Sequence, residues 1–312
     1  MASESLRLPP CVPRRLTFAA LALLAAFAPA SLRAQSVDLL LAGDIADCER
    51  SGAAATADLL DTLPGRILAL GDLAYPGGSA RDFRKCFEPT WGRHKARSWP
   101  LPGNHDYGRA RGADYHDYWG AVAGERGKGY YAFDYGAWRV IALNSNLQRD
   151  AQEPQRQWLA KELAATRARC ILGAWHHPVF STGVHGNSSQ MLAEYRLLLA
   201  GGATAVVTAH DHNYERFAPI DAKGVYNFTD GMHNFVVGTG GGGLRQRPFR
   251  DPVTVLANPR PGEMQSKFFQ ASAYGVLRLR LAADSFAWEF LPTAGDKPLD
   301  KGEANCRRRP PG

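Results

Sequence analysis

Five short stretches of this chain end an apolar run on residue types that bind metals. They run from Val37 to Asp44, from Gly71 through Asp72 to Tyr75, from Gly103 through Asn104 and His105 to Asp106, from Trp175 through His176 and His177 to Pro178, and from His210 through Asp211 and His212 to Asn213. Four of them directly follow strand-like runs. A single aspartate after a strand reads equally well as a helix N-cap, which has the same polarity and position. Recurrence at strand after strand is what the capping reading leaves unexplained. In open α/β sheets, ligands bind beyond the carboxyl ends of the strands. Five such ends in series therefore predict one site assembled along a sheet edge.

The rest of the chain agrees with a layered α/β fold. Val37–Ala42, 66–70, 171–175 and 203–208 read as buried strands, and 130–134 with 138–143 as a hairpin through Tyr135 and Gly136. Helices are expected over 52–63, from Pro154 to about Arg167, and over 188–199, with Pro154 in the tolerated first turn. Further strands at 235–237, 274–281 and 286–291 make the C-terminal part β-rich. The stretch from Arg245 to Gln270 is a long loop, of a length that in compact domains is uncommon and often functional.

Arg14 and Arg15 precede an apolar run from Leu16 to Ala28 and then small residues, the form of an export signal over residues 1–34. Cleavage after Ala30 and after Ala34 both fit, and Arg14 to Phe18 has a faint twin-arginine character. The run is too short for a comfortable membrane span. The expected domain is 35–306, followed by a disordered basic tail at 307–312. Export places the protein in the periplasm or outside the cell.

The formal charge of +7 sits mostly at the ends: residues 1–34 carry a net +3 and Arg307 to Arg309 another +3, leaving about +1 for the body. No clustered basic face for nucleic acid is in prospect. Cys48, Cys86, Cys170 and Cys306 remain after the leader, with no zinc-type spacing. In an exported protein an even count suggests two disulfides, with three pairings open; Cys48 with Cys86 is the one favoured here.

Carboxylate, amide, phenol and imidazole together suit hard or borderline cations. Asp44, Asp72, Tyr75, Asn104, His176, His210 and His212 make seven donors, and with Asp72 counted twice they suffice for two ions. The ordered set Gly-Asp, Gly-Asp-x-x-Tyr, Gly-Asn-His-Asp, His-x-Pro and His-x-His resembles the calcineurin-like metallophosphoesterases. Tyr75 and the run His210 to Phe217 resemble their purple acid phosphatase branch. The resemblance runs from about Val37 to Leu291. It implies an α/β fold with a two-layer β-sandwich flanked by helices. It also implies a first metal on Asp44, Asp72, Tyr75 and His212, and a second on Asp72, Asn104, His176 and His210. Many relatives carry Asp-x-His at the first segment, but here Ala46 stands at the histidine position and Tyr75 would supply the missing bond. A tyrosinate favours Fe³⁺, so Fe³⁺ with Fe²⁺, Zn²⁺ or Mn²⁺ is expected. The bland alternative for Tyr75 is an ordinary strand-edge aromatic.

Two cations lower the pKa of a bound water from 15.7 towards about 7, and the hydroxide so formed would attack a phosphate ester. A proton donor for the leaving oxygen is also needed. His105 matches the family's active-site histidine, and His185 a second one placed over the substrate in some members; a loop histidine is otherwise commonly just solvated. His177 is open between a supporting and a packing role, and Asp47 has no assigned one. The run from Gly238 to Leu244 lacks the Gly-Lys-Ser/Thr ending of a nucleotide loop and reads as close backbone approach beside the metals. His94, His116 and His233 match no motif position. Small phosphate monoesters are the expected substrates. A phosphodiesterase or nucleotidase shares the same donors, and a non-catalytic phosphate or phospholipid binder is the rival from another class.

Overall fold

Two sheets account for the burial pattern. The computed structural model describes residues 36–108, 110–247 and 266–308. The strands are Val37–Ala42 (β1), Arg66–Leu70 (β2), Ser98–Leu101 (β3), Tyr131–Tyr135 (β4), Trp138–Ala142 (β5), Cys170–Ala174 (β6), Ala205–Thr208 (β7), Tyr214–Phe217 (β8), His233–Val237 (β9), Ser266–Gln270 (β10), Gly275–Leu281 (β11), Ser285–Pro292 (β12) and Asp300–Asn305 (β13). One sheet runs β13-β12-β11-β1-β2-β3 and the other β10-β8-β9-β7-β6-β5-β4. The inner pairs β1/β2, β2/β3, β5/β6, β6/β7 and β7/β9 are parallel. Parallel strands covered on both faces read as near-continuous apolar runs, and apart from the edge strand β3 these are strands legible in the sequence.

Alternation assigns each face. Val140 and Ala142, Leu172 and Ala174, Ala205 and Val207 join the layer between the sheets, with Leu41, Leu68 and Leu279 of the other sheet. Their neighbours Ile141, Ile171 and Val206 face the other way, onto Leu159, Leu163 and Leu198 of the helices Arg149–Ala165 and Leu192–Ala200. The helix Gly52–Asp61 buries Ala53, Thr56, Ala57 and Leu60, one helical stripe. The fold is therefore a two-layer β-sandwich flanked by helices, as expected.

Boundaries differ in instructive ways. The helix carrying Pro154 starts at Arg149 rather than at the proline, because the Gln148 carbonyl accepts from Ala151 and Gln152 (2.9 and 3.0 Å) and opens the helix earlier. The helix expected from Ser188 begins at Leu192, since the Ser188 N–H is engaged by the Val179 carbonyl at 3.1 Å. His94 and His116 are buried packing residues, bonded to the Ala57 carbonyl and the Gly127 N–H. Arg307 departs from the expected disordered tail: its guanidinium donates to the carbonyls of Leu199 (3.0 Å) and Ala203 (2.9 Å), which anchors the chain just after Cys306. Residues 309–312, the leader and most of the long loop after Arg245 lie outside the described residues. Among the described residues, no helix is long and apolar enough to cross a membrane.

Both disulfides form, Cys48–Cys86 and Cys170–Cys306. The first fastens the loop after β1; the second closes β6 onto the end of β13 across a sequence separation of 136. By chain-entropy reasoning a closure of that length stabilises by about 3–5 kcal/mol. Replacing Cys170 and Cys306 together by alanine is expected to lower the unfolding free energy by about that amount, read as a lower urea midpoint with a steeper slope, because the unfolded chain without the cross-link exposes more surface.

Candidate metal centre

Each of the first three motif segments places a glycine between its strand and its donor residue, and space requires it. A Cβ on Gly43 would stand 2.5 Å from the Ala209 Cβ, one on Gly71 2.7 Å from the His176 Nδ1, and one on Gly103 2.1 Å from the Asp72 Oδ1. Beyond the glycines the backbone turns sharply. Asp44, Asp72 and His210 adopt positive φ of 56°, 52° and 70°, a region that costs a non-glycine residue about 1–3 kcal/mol and that clusters at functional sites. No left-handed residue follows β3, where Gly103 has φ −96°, but all five segments follow strand ends, those of β1, β2, β3, β6 and β7.

Four of the donors share one design: one polar atom of the side chain is tied to backbone and another is left facing the centre. Asp44 accepts the His210 N–H on Oδ2 (2.8 Å), leaving Oδ1 free, and Asp72 accepts the His105 N–H on Oδ1 (2.8 Å), leaving Oδ2 free. His176 and His212 each give Nδ1–H to a carbonyl, that of Leu70 and of Gly243 respectively, both at 2.8 Å. That bond fixes the tautomer and turns the Nε2 lone pair inward, as in metal-ligating histidines.

The free atoms form two groups that meet at Asp72. The Tyr75 hydroxyl lies 3.0 Å from Asp44 Oδ1, 3.3 Å from Asp72 Oδ2 and 3.2 Å from His212 Nε2. On the other side, the same Asp72 Oδ2 lies 3.4 Å from His176 Nε2, and the His176 and His210 rings are 5.1 Å apart. Asn104 opens the short helix Asn104–Tyr107 and lines the same cleft as Asp72 and His210. Its Oδ1 and the His176 Nε2 are buried with no hydrogen-bond partner. Two orphaned acceptors beside two buried carboxylates make a donor set that cations would satisfy, so the donors fit a metal pair.

Electrostatics point the same way. Burial pushes Asp44 and Asp72 upward, yet the imidazoles of His212 and His176 outweigh it and both carboxyls lie below their ordinary range. His176 is depressed by burial but lifted by Asp72, to about 9. Burial raises the Tyr75 phenol, and the carboxylates of Asp44 and Asp72 raise it further, well above an ordinary tyrosine. Ionising Tyr75 therefore needs a positive charge beside it. Burial and the charge of His176 hold His210 at about 4, neutral and able to ligate at neutral pH.

His105 and His185 border the cleft, whose volume is about 280 Å³. His105 directs Nδ1 to the Pro76 carbonyl (2.6 Å) and its Nε2 lies 3.8 Å from Asp72 Oδ2. His185 packs on His210 at 4.2 Å between ring centroids, and its Nε2 accepts from Arg245 Nη1 at 3.3 Å. His177 bonds Ser145 Oγ through Nδ1 (2.8 Å), and burial with the His176 charge holds it at about 2; its ring lies 4.4 Å from that of His210.

Sequence reasoning assigned no role to Asp106, Asp211, Glu215, Arg50 or Arg245. Asp106 accepts the N–H groups of Leu73 (3.0 Å) and Gly103 (2.9 Å), tying the Asp72 loop to the Asn104 loop. Burial and the Asp72 charge raise it to about 7. Asp211 accepts the His185 N–H at 2.8 Å and the Ser181 hydroxyl, while Glu215 accepts the Thr182 N–H at 2.9 Å. Both belong to the His210-to-Phe217 run, where only the histidines had drawn attention. From Gly238 to Gly243 the chain runs against the Asp44 loop: Gly240 N–H meets the Gly43 carbonyl at 2.9 Å and Gly242 N–H the Asp44 carbonyl at 2.7 Å. This is the close approach expected of that segment. Gly103→Ala should displace Asp72 and sharply lower the metal content of purified protein, measured by elemental analysis, while the far-ultraviolet circular dichroism keeps its native form.

The calcineurin-like phosphoesterase profile matches residues 19–214. Human tartrate-resistant acid phosphatase type 5 is 40% identical over 83 residues, 26% of this chain and 25% of that protein, and the rat protein is 37% identical over the same length. The matched part thus spans about a quarter of these relatives. Among solved structures, a purple acid phosphatase from yellow lupin superposes with a TM-score of 0.67 at 17% identity, over 88% of this chain and 54% of its own. GAP50, described as the anchor in the inner membrane complex of Plasmodium, superposes with a TM-score of 0.66 at 14% identity, over 88% and 90%. At those identities the superpositions establish the fold. With the profile covering more than half of the residues, the chain belongs to the calcineurin-like phosphoesterase family.

Proposed function

We propose that this protein hydrolyses phosphate monoesters at a dinuclear metal centre. The observation carrying the proposal is the Asp72 Oδ2 atom, which stands within 3.3 Å of the Tyr75 hydroxyl and 3.4 Å of the His176 Nε2 and so serves both donor groups. Asp44, Asp72, Tyr75 and His212 would hold the first ion. Asp72, Asn104, His176 and His210 would hold the second. A phenolate among hard oxygen and imidazole donors suits Fe³⁺, with Fe²⁺, Zn²⁺ or Mn²⁺ beside it. When bound, such a pair supplies a water acidified to near neutrality and polarises the phosphoryl oxygens.

The chain's own residues do the rest. His105, steadied through Nδ1 by the Pro76 carbonyl, presents Nε2 to the cleft and would hand a proton to the departing oxygen. His185, held by Asp211, would orient the phosphate from the opposite wall. Buried Asp106 and Asp211 keep the donor loops in register, so little reorganisation is left for the reacting state. The two disulfides suit an oxidising compartment, and with the basic-apolar leader they support an exported enzyme, periplasmic or secreted.

A phosphodiesterase or nucleotidase would use the same donors, and the GAP50 likeness supplies the motive for testing a binder without turnover. Retention of the full donor set together with His105 favours hydrolysis. A panel of monoesters and diesters on metal-loaded protein between pH 4 and 10 separates the readings: monoesters should be turned over faster, and no turnover of any ester would leave the binder. His105→Ala should reduce kcat by about 10²–10⁴-fold, the usual worth of a positioned acid or base, with metal content retained. In iron-loaded protein Tyr75→Phe should abolish a visible charge-transfer band; absence of that band in the parent protein would exclude Fe³⁺ at the Tyr75 position.

A further inference from the structure

Two guanidinium groups at the mouth of the cleft have no task in that scheme. Arg50 and Arg245 line the cleft with Asp72, Tyr75 and His212, and both are built onto the His212 support. Arg50 lies over Gly243, so close that a Cβ there would stand 2.8 Å from the guanidinium carbon; Gly243 is the residue whose carbonyl holds His212 Nδ1. Arg245 donates its own N–H to the His212 carbonyl at 2.9 Å. Each guanidinium is aimed through one nitrogen. Arg50 Nε donates to Asp47 Oδ2 at 2.9 Å, and Arg245 Nη1 to His185 Nε2 at 3.3 Å. Their remaining side-chain N–H groups have no hydrogen-bond partner among the described residues.

Charge on this rim is unbalanced. Of the two carboxylates lining the cleft, Asp72 sits among the donors and Asp47 beside Arg50, and the Asp47 Oδ1 is already occupied by the Glu49 N–H at 3.0 Å. A guanidinium is permanently charged and its fork of donors matches the oxygens of a phosphate or carboxylate. Two such forks beside the donor cluster are poised for an anion next to the one the metals would hold. We propose that Arg50 and Arg245 are specificity residues that bind a second anionic group, so that the site prefers phosphoanhydrides and phosphoesters whose leaving group carries a further anion. The proposal rests on the dinuclear reading above for the first phosphate, and it also explains why Asp47 is present: it aims Arg50.

Binding without turnover tests this independently of catalysis. Metal-loaded protein is titrated calorimetrically with methylphosphonate and with methylenediphosphonate, with metal content verified after each titration. The parent protein should bind the two-anion ligand at least tenfold more tightly, a difference of 1.4 kcal/mol, and the variant Arg50→Gln/Arg245→Gln should lose most of that preference. Arg50→Lys/Arg245→Lys should restore part of it, because charge returns without the fork. No preference in the parent, or a preference that survives in the glutamine variant, would overturn the assignment. A preference that depends on the arginines in a protein that turns over no ester would uphold this inference while removing the hydrolase reading.

Discussion

The site depends on backbone groups gripping the reverse sides of its donors. Asp44 is held by the N–H of His210, Asp72 by that of His105, His176 by the carbonyl of Leu70 and His212 by that of Gly243. These backbone groups sit at strand ends from both sheets. Packing of the two sheets and placement of the donors are therefore one structural fact. The three left-handed residues among the donors cost about 1–3 kcal/mol each, and the apolar layer between the sheets holds them in place. A looser core would release the atoms proposed to bind the metals.

That dependence explains how much could be read from sequence. The central parallel strands are buried on both faces, so they appear as unbroken apolar runs, and the donor at each run's end follows from where ligands sit in such sheets. Strands that escaped notice have identifiable reasons. β3 contains Pro100, tolerated because β3 is the edge of its sheet. β8 carries Glu215 and Arg216, whose charges are neutralised by partners distant in sequence: Arg247 for the first and Asp300 for the second. β13, from Asp300 to Asn305, is a polar edge strand with no apolar run to betray it.

The supporting residues were hidden for a related reason. Asp106 and Asp211 lie inside motifs whose histidines and asparagine take the attention, and only folding shows that they face neighbouring loops. Arg50 and Arg245 are nearly two hundred residues apart in a chain where arginine is common; nothing local marks them. What brings them together is the glycine segment from Gly238 to Gly243 lying against the Asp44 loop, where Gly240, Gly241 and Gly242 would each meet backbone or His212 atoms with any larger side chain. Long-range juxtaposition, unlike donor type, leaves no periodic trace.

Ala46 shows how one substitution in a motif can be compensated by geometry. Relatives with Asp-x-His present an imidazole from this position; here the side chain is a methyl group, fully buried. Its backbone takes on a different duty. Ala46 bridges Ala74 in parallel register, and its carbonyl accepts the Tyr75 N–H at 2.9 Å. That pairing extends β1 and β2 past their glycine turns and carries the phenol to within 3.0 Å of Asp44 Oδ1. The position that lacks a ligand side chain thus places the phenol proposed to replace it. A neutral imidazole could serve as a donor on its own, whereas the phenol must lose a proton in surroundings that oppose ionisation, through burial first and the two carboxylates next. On the proposed dinuclear reading a strongly charged cation would offset that opposition, which is the ground for proposing a trivalent ion beside Tyr75.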